Sequence, residues 1–139
     1  MQAYDPLDYE NLARSVVQAL LGGPEGPLPP SEAFEGAGVY AIYYRGDFGG
    51  YSRLVTAEAP LPIYVGKAVP IGARKGGGRT TGGRELYQRL KQHSSSIEQA
   101  ENLRIDHFRC RYLVVVPVWI TLAERFLACI IHESPGIRE

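Results

Sequence analysis

The chain has 139 residues, a hydrophobic fraction of 45% and 15 cationic against 15 anionic side chains, so it can bury one core but not two. No apolar run approaches the ~20 residues that cross a bilayer, the start Met1-Gln2-Ala3-Tyr4-Asp5 lacks the basic and apolar parts of a signal peptide, and Cys110 and Cys129 form neither a disulfide framework nor a metal-ligand spacing. The expectation is a soluble protein in a reducing, cytoplasmic setting, without a membrane partner.

Zero net charge hides a strong asymmetry. Between Gly66 and His93 stand Lys67, Arg74, Lys75, Arg79, Arg84, Arg89 and Lys91 against Glu85 alone, whereas before Gly38 the acids Asp5, Asp8, Glu10, Glu25, Glu32 and Glu35 face only Arg14. A neutral chain can therefore carry one cationic face, which a phosphate backbone would feel. The competing reading is an ordinary solvated loop. The phosphate reading is preferred because glycines interleave the cations and allow close approach.

In chain order, Leu7, Leu12, Val16, Leu20 and Leu21 recur with helical spacing, which predicts an amphipathic helix from Pro6 to Leu21. Gly22 to Pro30, rich in proline and glycine, stops it and reads as an extended linker. Residues 1–30 are thus expected to form a helical arm and linker, and residues 31–139 the main domain.

Gly38-Val39-Tyr40-Ala41-Ile42-Tyr43-Tyr44 reads as a strand with Tyr40, Ile42 and Tyr44 on one face. A turn over 45–50 leads to a candidate strand at Tyr51 to Ala57, and a further strand lies at Ile63-Tyr64-Val65. If the first and last of these pair, the Tyr40 and Tyr64 phenols meet; taken singly, each tyrosine is merely a good strand residue. Gly72 to Gly83 is a basic loop that fails the phosphate-loop pattern, because Gly66-Lys67 is followed by Ala68 rather than a hydroxyl residue.

A helix is expected from about Arg84, with Arg89 and His93 on the same side as Leu86 and Leu90. An Arg/His couple on a core-facing stripe either satisfies something buried or lines a site. Ser94 to Asn102 is expected to form a second short helix, and Phe108 to Val116 a strand whose run Tyr112 to Val116 suggests burial on both faces. Ile120 to Glu133 reads as a buried helix. Glu124 in its first turn has two readings, a capping-box carboxylate after Thr121 or a metal ligand.

Gly38-Val39-Tyr40, Tyr64-Val65-Gly66, Arg89-x-x-x-His93 and Ala123-Glu124, in that order across roughly Gly38 to Ile131, resemble the GIY-YIG nuclease superfamily. With the acidic arm, Lys67-Ala68-Val69-Pro70 and the basic glycine loop, the chain is similar to the branch of homodimeric type II restriction endonucleases that cut CCGCGG. No single motif is specific; the ordered combination is.

The resemblance implies an α+β fold, a small, mainly antiparallel three-stranded sheet flanked by helices. It implies hydrolysis of phosphodiester bonds in double-stranded DNA by a homodimer, with Tyr40, Tyr64, Arg89, His93 and Glu124 catalytic. Glu124 would hold Mg²⁺, which Mn²⁺ can replace, while Lys67, Arg74, Lys75, Arg79 and Arg84 contact phosphates. Tyr40 would be the general base or pass its proton to His93, and nearby cations are expected to draw its phenol, ordinarily near a pKa of about 10, toward the phenolate. Arg89 and Lys67 would stabilise developing charge, and Tyr64 would orient water or phosphate. The family also has an asparagine beyond the glutamate, absent from Ile131 to Glu139, so the chain reads as a C-terminally shortened member. The alternative to an active enzyme is a DNA-binding domain that cuts weakly or not at all.

Overall fold

The computed structural model describes residues 3–46, 61–70 and 83–132. The expected strand over 51–57 and the loop cations Arg74, Lys75 and Arg79 lie outside the described residues. In chain order the elements are α1 (Tyr9–Leu21), β1 (Gly26–Pro27), β2 (Gly38–Tyr44), β3 (Tyr64–Ala68), α2 (Glu85–Gln99), β4 (Phe108–Val114) and α3 (Ile120–His132). Single 3-10 turns at Ile105–His107 and Pro117–Trp119 flank β4.

The fold is α+β, as expected, with every strand pair antiparallel in the order β1-β4-β2-β3. The described sheet has four strands rather than three, because Gly26 and Pro27 of the expected linker pair with Cys110 and Arg109. That fourth strand is only an edge. β2 is the centre, and all seven of its residues are buried.

Alternation along β2 divides the interior into two layers. Tyr40, Ile42 and Tyr44 pack with Leu86 and Leu90 of α2 and with Phe108 and Cys110 of β4. Val39, Ala41 and Tyr43 pack on the other side with Val17 and Leu20 of α1 and with Ile120 and Ala123 of α3. Helices of opposite ends of the chain therefore share one layer, and α2 is the described helix on the other. Gly38 starts β2 because β4 runs so close that a Cβ there would strike the Leu113 carbonyl.

Three local expectations are corrected. The first helix begins at Tyr9 rather than Pro6, since the Asp5 carboxylate accepts the Leu7 amide at 3.0 Å in a preceding turn and leaves Leu7 exposed. The expected break at Ser94 does not occur, because the Ser94 side chain fits the buried face of a continuous α2. The apolar end of β4 is not buried on both faces. Tyr112, Val114 and Val116 are 41%, 53% and 65% exposed, because the cluster under α2 takes in only Phe108 and Cys110 of that strand.

A candidate active site on the α2 face of the sheet

The register of β2 and β3 brings the two tyrosines together. Tyr40 lies opposite Gly66, and Tyr64 lies opposite Ile42, so both phenols rise on the α2 face. Their rings are near-parallel, 20° apart in plane and 6.0 Å between centroids. Gly66 makes this possible. A Cβ at that position would come within 2.5 Å of the Tyr40 hydroxyl, so the absent side chain is the space through which the phenol crosses β3.

α2 supplies the imidazole. The Tyr40 hydroxyl and His93 Nε2 are 2.7 Å apart in a hydrogen bond whose direction depends on the His93 tautomer. The same imidazole packs against Tyr64 at 4.7 Å between ring centroids. Tyr40 is fully buried and His93 is half-buried, so the contact stands at the boundary between core and solvent.

Arg89, one helical turn before His93, is exposed rather than core-facing, as its spacing had suggested. Its long side chain still brings the guanidinium to the two phenols while Nη1 donates to Gln92 Oε1 at 3.4 Å. Arg89, Gln92, His93 and Ser96 line a shallow pocket of about 160 Å³. Gln92 and Ser96 were missed in the sequence, although their spacing from Arg89 and His93 places all four on one helical face.

Burial decides the electrostatics. It pushes the Tyr40 phenol up to about 12, although Arg89 pulls the other way. The expected drift toward phenolate is therefore reversed. Burial, followed by the Arg89 charge, also lowers His93 below its ordinary 6.5. At neutral pH the pair is a phenol beside a neutral imidazole, which can accept a proton.

Lys67 and Glu124 belong to the other side of the sheet. Lys67 is in register with Val39, and its Nζ donates to Thr121 Oγ1 of α3 at 3.3 Å. Thr121 lies inside α3, behind the turn Pro117–Trp119, so it is not the N-cap that a capping box with Glu124 requires. Glu124 is half-buried and makes no side-chain hydrogen bond or ion pair among the described residues. No hydrogen bond or ion pair among the described residues joins it to the four α2-face groups. Nor do three or more His, Cys, Asp or Glu side chains among the described residues form a metal cluster, so a metal would rest on a lone carboxylate. Arg84 precedes α2 and is exposed. No helix among the described residues is long and apolar enough to cross a membrane.

Two phenols, an imidazole and a guanidinium at one solvent boundary can move a proton next to a positive charge. That is a constellation suited to an anionic ester. No curated protein matches the chain significantly. Residues 32–135 match the family model described as the Eco29kI GIY-YIG domain, a span that takes in β2, β3, α2, β4 and α3. The chain belongs to the Eco29kI GIY-YIG domain family and carries the fold of a nuclease.

Proposed function

We propose that the chain is a Mg²⁺-dependent DNA endonuclease of the type II restriction class, acting as a homodimer on double-stranded DNA. Two-fold symmetry suits the cutting of both strands of a palindrome, and a CCGCGG-like site is the resemblance-based choice. The observation that carries the reading is the 2.7 Å contact between the Tyr40 hydroxyl and His93 Nε2, beside the exposed Arg89.

Hydrolysis needs a water stripped of a proton as it attacks phosphorus. Tyr40 at rest is protonated, so it cannot take that proton unless its own leaves. Neutral His93, protonated on Nδ1, accepts the phenol proton at Nε2 as the phenol oxygen accepts one from water. Each proton-transfer partner is worth ~10²- to 10⁴-fold in rate. Arg89 faces the charge that grows on the phosphate, and Tyr64, stacked on Tyr40 and packed at a tilt against His93, holds the water or a phosphate oxygen in line.

Glu124 fits a Mg²⁺ ligand better than a cap, because its carboxylate has no partner among the described residues and Mg²⁺ keeps several waters on one or two carboxylates. When bound, the ion supplies Lewis-acid stabilisation of the phosphate and the leaving oxygen. Among the described residues β3 is an edge strand, and Tyr40 crosses it above Gly66 while α3 and Lys67 flank it from the other side. Groups from both faces can therefore converge on a phosphate beyond that edge. Lys67, Arg74, Lys75, Arg79 and Arg84 hold the neighbouring phosphates in this reading.

The test is supercoiled plasmid incubated with Mg²⁺ and the wild-type or Glu124→Ala chain. Cleavage by the wild type alone, with DNA retention by both, is the expected result. Equal cleavage by Glu124→Ala contradicts the metal assignment, and an intact plasmid despite salt-sensitive binding selects the inactive DNA-binding alternative.

A further inference from the structure

The shallow pocket of about 160 Å³ beside the Tyr40–His93 pair is lined by Arg89, Gln92, His93 and Ser96, and two of these side chains have no part in the proton transfer. Gln92 and Ser96 lie one and two turns beyond Arg89 on the same face of α2, and both are exposed. Ser96 makes no side-chain hydrogen bond among the described residues, so its hydroxyl is not needed to hold the helix.

What such a pocket can hold is set by its hydrogen-bonding groups. A guanidinium can only donate, and Arg89 Nη1 donates to Gln92 Oε1 at 3.4 Å, so the Gln92 oxygen is turned to Arg89 and the amide NH₂ is the end left over. In the tautomer that accepts the Tyr40 proton at Nε2, His93 carries hydrogen on Nδ1. The Ser96 hydroxyl can rotate to donate. All four residues therefore offer donors, with one positive charge and no carboxylate among them. That lining is the complement of an oxyanion.

Size narrows the class. A water takes about 30 Å³ of liquid volume, so the pocket has room for about five, enough for a phosphate group and well below the ~300 Å³ at which small-ligand sites begin. Ser96 stands about 10 Å along the helix axis from Arg89, whereas a DNA strand advances about 3.4 Å per phosphate along its own axis. The pocket thus reaches past a single phosphate held at the guanidinium. We infer that Gln92 and Ser96 bind a further backbone phosphate, neighbouring the scissile one on the same DNA strand. An anion held there also favours the imidazolium that forms when His93 takes the Tyr40 proton. The assignment deepens the endonuclease reading and rests on it for the identity of the anion, but it can be tested without cleavage.

The probe is a fluorescein-labelled DNA duplex, its binding followed by anisotropy across a salt series without divalent metal, so that nothing is cut. Ser95 is the control, being exposed and next in the chain but outside the pocket lining. Ser96→Lys and Gln92→Lys are each expected to steepen the salt dependence of log K by about one unit, the mark of one added phosphate contact. Ser96→Asp should weaken binding at fixed salt by roughly tenfold or more, because it sets a carboxylate against the phosphate. Ser95→Lys should leave the slope at the wild-type value, and Ser95→Asp should leave the affinity within about twofold, since charges off the contact are screened. Gln92, Ser95 and Ser96 are all exposed, which keeps these substitutions off the core. Ser95 and Ser96 variants that behave alike, or lysine variants with the wild-type slope, overturn the assignment. A wild-type chain that does not hold the duplex even at low salt overturns it together with the DNA reading. Plasmid cleavage with Mg²⁺ separates the two otherwise. Position-dependent slopes without cleavage remove the enzyme and keep the phosphate site; cleavage without such slopes does the reverse.

Discussion

On one side of β2 stand Tyr40, Ile42 and Tyr44, and on the other, one residue along, stand Val39, Ala41 and Tyr43. All are buried, and the first side meets solvent through a half-buried histidine and an exposed arginine. The α1/α3 side keeps its charge at the margin, where Arg45 and Arg111 lie over the Tyr43 ring at 5.3 and 5.1 Å and meet Glu25. The α2 side places its polar atoms inside, in the Tyr40–His93 contact. One face holds the sheet together, and the other spends part of its burial on perturbing two titratable groups.

The largest effect should come from breaking that perturbed pair. Tyr40→Phe or His93→Ala should lower single-turnover cleavage by ~10²- to 10⁴-fold while DNA affinity stays close to wild type, measured by gel shift at matched salt. Core truncations compare the faces directly. Leu90→Ala on the α2 side and Leu20→Ala on the other remove fully buried leucines, and each should cost about 2–5 kcal/mol in chemical denaturation. Only Leu90→Ala should also depress kcat in the protein that remains folded, because it lies between Arg89 and His93.

The pH response sharpens the contrast. Folded Tyr40 titrates at about 12 against 10.0 in the unfolded chain, so its contribution to stability is complete below 10 and lost as pH rises from 10 to 12. Tyr40→Phe should flatten that alkaline fall in Tm. For His93 the folded value is the lower one, so the unfolded chain takes up the proton first, and stability declines as pH falls from 6.5 through the depressed folded value. Cleavage, which needs the neutral imidazole, should likewise persist at pH 6.5 and fail only below it. The smallest change is expected at the other margin. Glu25→Gln leaves Arg45, Arg109 and Arg111 without their common carboxylate and should cost about 1–3 kcal/mol in urea unfolding.

The tyrosines, Arg89 and His93 were legible because strand alternation and helical spacing fix which side chains share a face, and the structure does bring the four together. Glycine roles were not. Gly66 carries no signal of its role until β2 is known to lie beside it, when its missing side chain becomes the passage for the Tyr40 phenol. The sign of the Tyr40 shift was misread because neighbouring cations can be counted in a sequence, whereas the depth of burial that outweighs them cannot. β4 was misread for a similar reason. Its valines have the composition of a doubly covered strand, but cover depends on how far α2 extends. The edge pairing of Gly26 and Pro27 leaves no signal in a proline-rich stretch that alternation cannot describe.

The most direct measurement is single-turnover cleavage of plasmid DNA by Tyr40→Phe beside wild type, with Mg²⁺ and enough protein to saturate the DNA. Loss of at least about a hundredfold in rate, with the variant folded and DNA still bound, is the result this account predicts. A variant that cuts at the wild-type rate would contradict it, because the phenol hydroxyl would then carry no proton that matters.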